Sequence, residues 1–259
     1  MNVSSWLKKA AISRLDAELI LANSLGKDRV FLHAHPDYEL SEKEERKADS
    51  NLERRANHEP IAYILGYKEF YGRKFTVSPD VLIPRPETEA IINLAKELKP
   101  QTILDVGTGS GCIAITLKLE LPTSDVSAVD ISPKALKIAE KNAADLGAKI
   151  TFKESDLLSR VQDKYDLIVA NLPYVDKNWD WLSPELAYEP DLALYAKDTG
   201  LYDIKRLIRQ AEAHLTKQGA LILESDLSQH DKIQEFIDTN TNLTLVKTEG
   251  LAQMFTKKA

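Results

Sequence analysis

The stretch LDVGTGSGCIAI (residues 104–115) places three glycines directly after an apolar run and at the start of a helical pattern. Gly107, Gly109 and Gly111 allow the backbone to turn sharply and to approach a bound ligand closely. Nicotinamide and flavin enzymes use G-x-G-x-x-G/A, but in that register the third position is Cys112. The D-x-G-x-G-x-G spacing that begins at Asp105 therefore predicts a strand, a ligand-binding loop and a helix of a different nucleotide-binding type.

Short apolar strands alternate with helical patterns from Thr102 onward. The predicted strands are 103–106, 126–129, 150–152, 167–170 and 220–223, and the predicted helices are 110–119, 133–146, 201–215 and 229–237. This alternation is typical of a doubly wound parallel sheet with helices on both faces. Two further strands, 243–246 and 253–256, are antiparallel because parallel strands need a crossover of about a dozen residues. We predict an α/β fold with a seven-stranded sheet and an antiparallel last strand, the arrangement of class I methyltransferases.

The first eighty residues are predicted to be helical. An apolar residue recurs at every fourth position, at Leu7, Ala11, Leu15 and Leu19, which predicts one helix that stops at Gly26. Ser41 and Glu44 have the spacing of a capping box at the start of a second helix. A hairpin is expected around Gly72, and a further helix opens at Glu87 and Glu89. We expect a small helical domain over residues 1–66, a hairpin and linker over 67–86, and a catalytic domain over 87–259.

Composition excludes several classes of protein. The chain has 259 residues, 43% hydrophobic and 29% charged, which is typical of soluble globular proteins. Charged residues interrupt every apolar run near the N-terminus, so we expect a cytoplasmic protein without a membrane segment. The single cysteine excludes an internal disulfide and a three-cysteine iron–sulfur cluster, and the scattered histidines predict no metal site. The net charge of -6 argues against a broad nucleic-acid-binding face.

Acidic residues stand at three successive strand ends. Asp130 closes the second strand, where a carboxylate can accept both ribose hydroxyls of a nucleotide cofactor. Asp156 follows the third strand, at a position suited to an adenine amino group, with Leu157 beside it as an apolar wall. Helix capping is the alternative for any one of these acids. Three of them, including Asp105, favour ligand binding, because ligands in this architecture lie at the carboxyl ends of the strands.

The fourth strand ends in Asn171, Leu172, Pro173 and Tyr174. This tetrapeptide resembles the N-P-P-Y motif of methyltransferases that modify a planar nitrogen, either an exocyclic base amine or a side-chain amide. Such a nitrogen is a poor nucleophile, so catalysis depends on orientation and hydrogen bonding. The Asn171 side-chain oxygen and a backbone carbonyl just after it can accept the two N–H bonds, while Tyr174 packs against the flat group. The motif contains no candidate base for the released proton.

The chain resembles the release factor glutamine methyltransferase family from about residue 10 to about residue 235. EPIAYILGYKEFYG (59–72), VLIPRPETE (81–89) and YEPDLALYAKDTGLYDIKRLI (188–208) carry the resemblance beside the two motifs above. It implies S-adenosylmethionine as the cofactor and N5-methylation of the glutamine in the Gly-Gly-Gln loop of peptide chain release factors. It also implies that Asn171–Tyr174 hold the substrate and that the N-terminal helices dock the release factor; we expect a monomer. The predicted cofactor-binding residues are Asp105, Gly107, Thr108, Gly109, Ser110, Gly111, Asp130, Ile131, Asp156, Leu157 and Asn171.

The sequence departs from the family pattern at two places. Leu172 replaces the first proline of the motif, which puts rate or selectivity in doubt rather than the type of reaction. Residues 225–229 and the tail that begins at Val246 lack the family's usual Gly-rich and Arg-rich sequence. N-L-P-Y also occurs in ribosomal RNA adenine dimethyltransferases, so a nucleic-acid adenine is the alternative substrate. A non-catalytic binding module is a third hypothesis, although every predicted site residue is retained.

Overall fold

The computed structural model describes residues 1–180 and 182–258, and the chain divides into two compact units. The first unit comprises Met1–Lys68 and Ser183–Tyr188, and the second comprises Glu69–Leu182 and Glu189–Ala259. The second unit contains the large sheet and every predicted cofactor-binding residue.

The first unit is helical. Its helices are α1 (Val3–Lys9), α2 (Arg14–Leu25), α3 (Arg29–Ala34), α4 (Glu42–Ala56) and α5 (Ile61–Leu65). The predicted capping box is confirmed at Ser41 and Glu44, and Gly26 ends α2 with φ 64°. Their buried core includes Trp6, Ile20 and Leu21.

The prediction of one continuous helix through Leu7 and Leu19 is wrong. Helix α1 ends at Lys9, and α2 begins at Arg14 because the Ser13 side chain accepts a hydrogen bond from the Asp16 N–H. An N-cap serine satisfies a backbone donor that an uninterrupted helix would pair internally. The buried face of α2 is therefore shifted, and Leu15 is 51% exposed.

The predicted hairpin is present as β1 (Tyr67–Phe70) and β2 (Arg73–Thr76), which turns at Gly72, and the boundary between the two units falls within β1. A 3₁₀ turn at Pro86–Thr88 then leads into α6 (Glu89–Leu98). Pro86 suits the first turn, where its missing N–H would be unpaired in any case.

The main sheet has seven strands in the order β5-β4-β3-β6-β7-β9-β8. The strands are β3 (Thr102–Val106), β4 (Asp125–Asp130), β5 (Thr151–Glu154), β6 (Tyr165–Ala170), β7 (Leu215–Glu224), β8 (Leu243–Glu249) and β9 (Ala252–Lys257). Strands β3 to β7 pair in parallel, and β9 is antiparallel to both β7 and β8. The predicted class I methyltransferase fold, with its antiparallel last strand, is confirmed.

Helices cover both faces of this sheet. They are α7 (Cys112–Glu120), α8 (Pro133–Leu146), a short α9 (Asp191–Leu194), α10 (Tyr202–His214) and α11 (His230–Asn240). Helix α7 starts two residues later than predicted because Gly111 still belongs to the loop, with φ 81°. A 3₁₀ turn at Leu227–Gln229 replaces the predicted first residue of α11.

Alternating side chains of the parallel strands fill two separate cores. Ile103, Leu167 and Ile222 belong to one core, and Leu104 and Ile168 belong to the other. This is the period-two pattern of strands buried on both faces. Because these strands are parallel, their carboxyl ends lie at one edge of the sheet. The strand order reverses between β3 and β6, so a crevice forms between the loops that follow these two strands.

Candidate active site

A cavity of about 250 Å³ lies at the carboxyl ends of the parallel strands. The predicted site residues in its wall are Gly107, Thr108, Gly109, Ser110, Asp130, Ile131, Asp156, Leu157, Asn171, Leu172 and Pro173. Among the described residues, Asp105, Gly111 and Tyr174 are predicted site residues that do not line the cavity. The loops after β3, β4, β5 and β6 thus bring most of the predicted residues to one place.

The glycine loop can be built only with glycine at its key positions. Gly107 and Gly111 have φ of 76° and 81°, in the left-handed region. A Cβ on Gly107 would lie 2.9 Å from Leu172 Cδ2. A Cβ on Gly111 would lie 2.8 Å from Ile115 Cδ1 and 3.3 Å from Ala139 Cα. The loop therefore packs directly against the motif after β6 and against α8.

Asp105 lies beneath the loop and is fully buried. Its Oδ2 accepts hydrogen bonds from the Thr108 hydroxyl at 2.6 Å and from the Ala114 N–H at 3.2 Å. Its Oδ1 has no partner among the described residues. Burial, with a smaller contribution from the charge of Asp130, raises the pKa of Asp105 to about 7. This carboxyl braces the loop from below.

Asp130 supports the same loop from the next strand. Its Oδ2 accepts from the Gly109 N–H and its Oδ1 from the Ser132 N–H, both at 2.8 Å. The side chain lines the cavity and is only 8% exposed as a residue, and burial raises its pKa. Each carboxylate oxygen retains a further lone pair, so Asp130 can bind a hydroxyl donor while it holds the loop.

The position predicted to read an adenine amino group is already engaged. Asp156 Oδ2 accepts a 2.7 Å hydrogen bond from Arg206 of α10, which also pairs with Asp203. Leu157 is buried at φ 49° and lines the cavity. Arg206 was not predicted from the sequence, because its position depends on how α10 packs beside the sheet.

Asn171 is oriented by two partners from other elements. Its Nδ2 donates to Thr88 Oγ1 at 3.0 Å and to Glu224 Oε1 at 2.8 Å. Both amide protons are thus used inside the protein, which leaves Oδ1 as the atom that can serve a ligand. The predicted acceptor role of the Asn171 oxygen is compatible with this geometry.

The rest of the motif is held tightly. Leu172 is 4% exposed and covers Gly107, so the residue that departs from the family pattern fills the space above the glycine loop. The Tyr174 hydroxyl lies 3.4 Å from Glu224 Oε1, and burial raises its pKa further above 10. The Tyr174 carbonyl accepts a 2.9 Å hydrogen bond from Gln229 Nε2.

A further buried carboxylate, Glu189, fixes the segment before α6. Its Oε2 accepts from the Ile83 N–H at 2.9 Å, and its Oε1 pairs with Arg85, which lines the cavity. Arg85 and Glu189 lie in two of the segments that carry the family resemblance, but no role was predicted for either residue. Arg85 and Glu189 are separated by 104 residues, and no local pattern reveals such a pair.

Metal ligands and membrane segments are both absent from residues 1–180 and 182–258. No group of three or more His, Cys, Asp and Glu side chains is arranged there to hold a metal ion. Within the same ranges, no helix has the length and apolar character needed to traverse a bilayer.

The chain matches known proteins along most of its length. The model of the PrmC N-terminal domain matches residues 2–66, and that of the methyltransferase small domain matches residues 87–182. A release factor glutamine methyltransferase of Koribacter versatilis is 45% identical over 241 residues, covering 90% of this chain and 86% of that protein. One of Neisseria gonorrhoeae is 39% identical over 248 residues, covering 93% and 90%.

Solved structures share the fold. A ribosomal protein L11 methylase from Lactobacillus delbrueckii subsp. bulgaricus is 26% identical with a TM-score of 0.54, covering 74% of this chain and 91% of that one. A methyltransferase from Pyrococcus furiosus has a TM-score of 0.57 at 17% identity, covering 80% and 99%. At 17% identity the second likeness concerns the fold alone.

Proposed function

The chain belongs to the release factor glutamine methyltransferase family, and on this premise we propose that it methylates the glutamine amide in the Gly-Gly-Gln loop of a peptide chain release factor. The relative of Koribacter versatilis, 45% identical, carries that name. The observation that supports the proposal best is the orientation of Asn171 in the cavity wall, with both amide protons bonded inside the protein. An oxygen acceptor there suits a primary amide, whose nitrogen carries two N–H donors.

The cofactor is S-adenosylmethionine, which supplies a methyl group on a positively charged sulfonium when it is bound. We assign its binding to the glycine loop (107–111), Asp130, Ile131, Asp156, Leu157 and Asn171. The open glycine backbone, the Asp130 carboxylate and the apolar Leu157 wall fit an amino acid, a ribose and a flat base respectively. Asp105 acts on this site indirectly, through Thr108.

Asn171 Oδ1 and the Leu172 carbonyl accept the two N–H bonds of the substrate amide in this proposal. They hold the nitrogen with its lone pair directed across the cavity, and this orientation, rather than a strong base, supplies the catalysis. Pro173 fixes the backbone that presents the Leu172 carbonyl. Tyr174 contributes the flat surface beside the amide.

Several further assignments belong to the same proposal. Residues 1–66 form the docking domain for the release factor, residues 67–86 the linker, and 87–259 the catalytic domain. The enzyme acts as a cytoplasmic monomer, and nucleic acid is not its direct substrate, in line with the net charge of -6. Adenine in ribosomal RNA is the competing substrate that the experiment must separate.

The test is methyl transfer from labelled cofactor to three substrates: a release factor, its Gln→Ala loop variant, and ribosomal RNA. We expect label on the intact release factor alone. Asn171→Ala should keep cofactor affinity within a few-fold, as measured by calorimetry, and lower turnover by roughly a hundredfold, the usual effect of removing one preorganised hydrogen-bonding group. Label on RNA alone, or equal label on the Gln→Ala loop variant, contradicts the proposal.

A further inference from the structure

Glu224 ends β7 beside the substrate motif, although no sequence pattern predicted a role for it. It is 1% exposed, and its Oε1 lies 2.8 Å from Asn171 Nδ2. Strand pairing places it there, because β7 lies next to β6 and Leu223 is in register with Ala170. The contact is thus fixed by the sheet.

The two partners of Asn171 Nδ2 do not restrict the orientation of the Asn171 amide equally. The Thr88 hydroxyl accepts from Asn171 Nδ2 and also hydrogen-bonds Glu224, but a hydroxyl can donate as well as accept, so Thr88 alone does not fix which end of the Asn171 amide faces it. An ionised carboxylate only accepts, so Glu224 can bond only the nitrogen end. If the amide were flipped, its oxygen would face the Glu224 carboxylate, and its NH₂ group would face the cavity and repel a substrate N–H.

We propose that Glu224 is a positioning residue that locks the Asn171 amide with Oδ1 toward the substrate nitrogen. The inference rests on the proposed function, because it concerns the same amide-binding motif. Glu224 does not contact the substrate in this account. It acts through Asn171, and its negative charge also favours the positive charge that develops on the nitrogen during methyl transfer.

The surroundings of Glu224 make this lock sensitive to pH. The titratable groups that face it are Tyr174 after β6, Glu87 in the 3₁₀ turn and Cys112 at the start of α7. Arg85, whose positive charge acts on Tyr174, is already paired with Glu189. Burial raises the pKa of Glu224 to about 7, and its Oε2 has no partner among the described residues. A protonated Glu224 can donate, so it no longer distinguishes the two amide orientations.

Glu224→Gln is the decisive variant because it keeps the shape and removes the charge. At saturating cofactor we expect kcat for the release factor to fall about tenfold at pH 8, with KM for both substrates within about threefold. The wild-type kcat should fall as pH drops below about 7, and that of Glu224→Gln should stay level between about pH 6 and 8. A merely structural role would not alter the pH profile. Wild-type kcat and pH dependence in this variant would overturn the inference.

Gln253 offers a matched control on the neighbouring strand β9. It is 3% exposed, and its Oε1 has no partner among the described residues. Gln253→Met should keep kcat within about threefold, because the substitution conserves volume and Gln253 is in register with Leu223, which has no proposed role in the site. An equal loss in both variants would mean a general disturbance of the sheet and would also overturn the inference.

A measurement without the release factor separates this inference from the proposed function. In the ¹⁵N NMR spectrum, the side-chain NH₂ signal of Asn171, assigned by its loss in Asn171→Ala, should titrate with a midpoint near pH 7 in the wild type and not in Glu224→Gln. If the wild type leaves the release factor unmethylated, the proposed function fails. The NMR titration then decides by itself whether Glu224 orients the Asn171 amide. An Asn171 signal that does not respond to pH refutes the lock even if methylation occurs.

Discussion

Asp130 has two tasks that share one carboxylate. Each of its oxygens already accepts a backbone N–H, one from Gly109 and one from Ser132, before any ligand is considered. Its substitution therefore removes the acceptor proposed for the ribose and also a brace of the glycine loop. At the residue scale, a substitution of Asp130 changes cofactor binding and the order of the glycine loop together.

Asp130→Ala should weaken cofactor binding by about tenfold or more, because at least one charge-assisted hydrogen bond worth about 1.5 to 3 kcal/mol is lost. Isothermal calorimetry measures the change. Asp145→Ala removes the same charge from an exposed site on α8 and should leave the affinity unchanged. Equal affinities for the wild type and Asp130→Ala would remove Asp130 from the proposed cofactor site.

The loop after β6 depends on a turn that lies far from it in sequence. Gly200 has φ 84°, and a Cβ there would collide with Gln229 Nε2 and with the Tyr174 carbonyl, whose carbon would lie 2.8 Å away. Gln229 Nε2 itself bonds both the Tyr174 and Thr199 carbonyls at 2.9 Å. At the element scale, the segment before α10 and the 3₁₀ turn before α11 together fix the backbone of the substrate motif.

Gly200→Ala should therefore lower both stability and turnover. We expect a loss of at least about 2 kcal/mol in the free energy of unfolding, because a left-handed backbone and a clash with backbone atoms act together. Gly147→Ala is the matched control, since Gly147 has φ 71° but a Cβ there would meet no atom within 4 Å. Denaturant titration and kcat should show a small stability loss and normal turnover for Gly147→Ala. A similar result for Gly200→Ala would disprove the steric link.

Features with a local cause could be predicted from the sequence, and features that depend on the order of the strands could not. The sheet and the glycine loop were predictable, because apolar periodicity and loop spacing are properties of neighbouring residues. Thr88 and Glu224 were not, because they meet Asn171 across 83 and 53 residues and only once the turn before α6 and strand β7 have packed beside β6. The false single helix had a local cause too: Ser13 as an N-cap outweighed a repeat of apolar residues.

At the scale of the whole molecule, the site and the stability of the fold share their buried carboxyls. Several paired acids have a pKa that is lower in the folded protein than in the unfolded chain. They stabilise the folded chain at a pH above their unfolded pKa, and this stabilisation is lost as the pH falls. These acids are Glu18, Glu44, Glu120, Asp166 and Glu212. Asp105, Asp130 and Glu224 have the opposite sign, because burial raises the pKa of each. The enzyme thus keeps three carboxyl groups whose charged forms oppose folding, all at or beside the proposed site.

Asp105→Asn isolates one of these groups. Below pH 3.8 the Asp105 carboxyl is protonated in both states, and as pH rises toward 7 the unfolded chain ionises while the folded protein keeps its proton. The stability that Asp105 contributes is therefore full at acid pH and is lost as pH rises through about 7, by about 4 kcal/mol in all. The new amide can still accept from Thr108 and Ala114, so the fold should persist.

The measurement is the free energy of unfolding by denaturant at about half-unit steps from roughly pH 5 to 8, for the wild type and the variant. The stability of Asp105→Asn relative to the wild type should rise with pH across this range and level off above about 7, because only the wild type loses this contribution. Any constant cost of burying the new NH₂ group shifts the whole curve without changing its slope. Asp145→Asn, an exposed acid, should give a flat difference. A flat difference for Asp105→Asn would mean that Asp105 is ionised in the folded protein throughout.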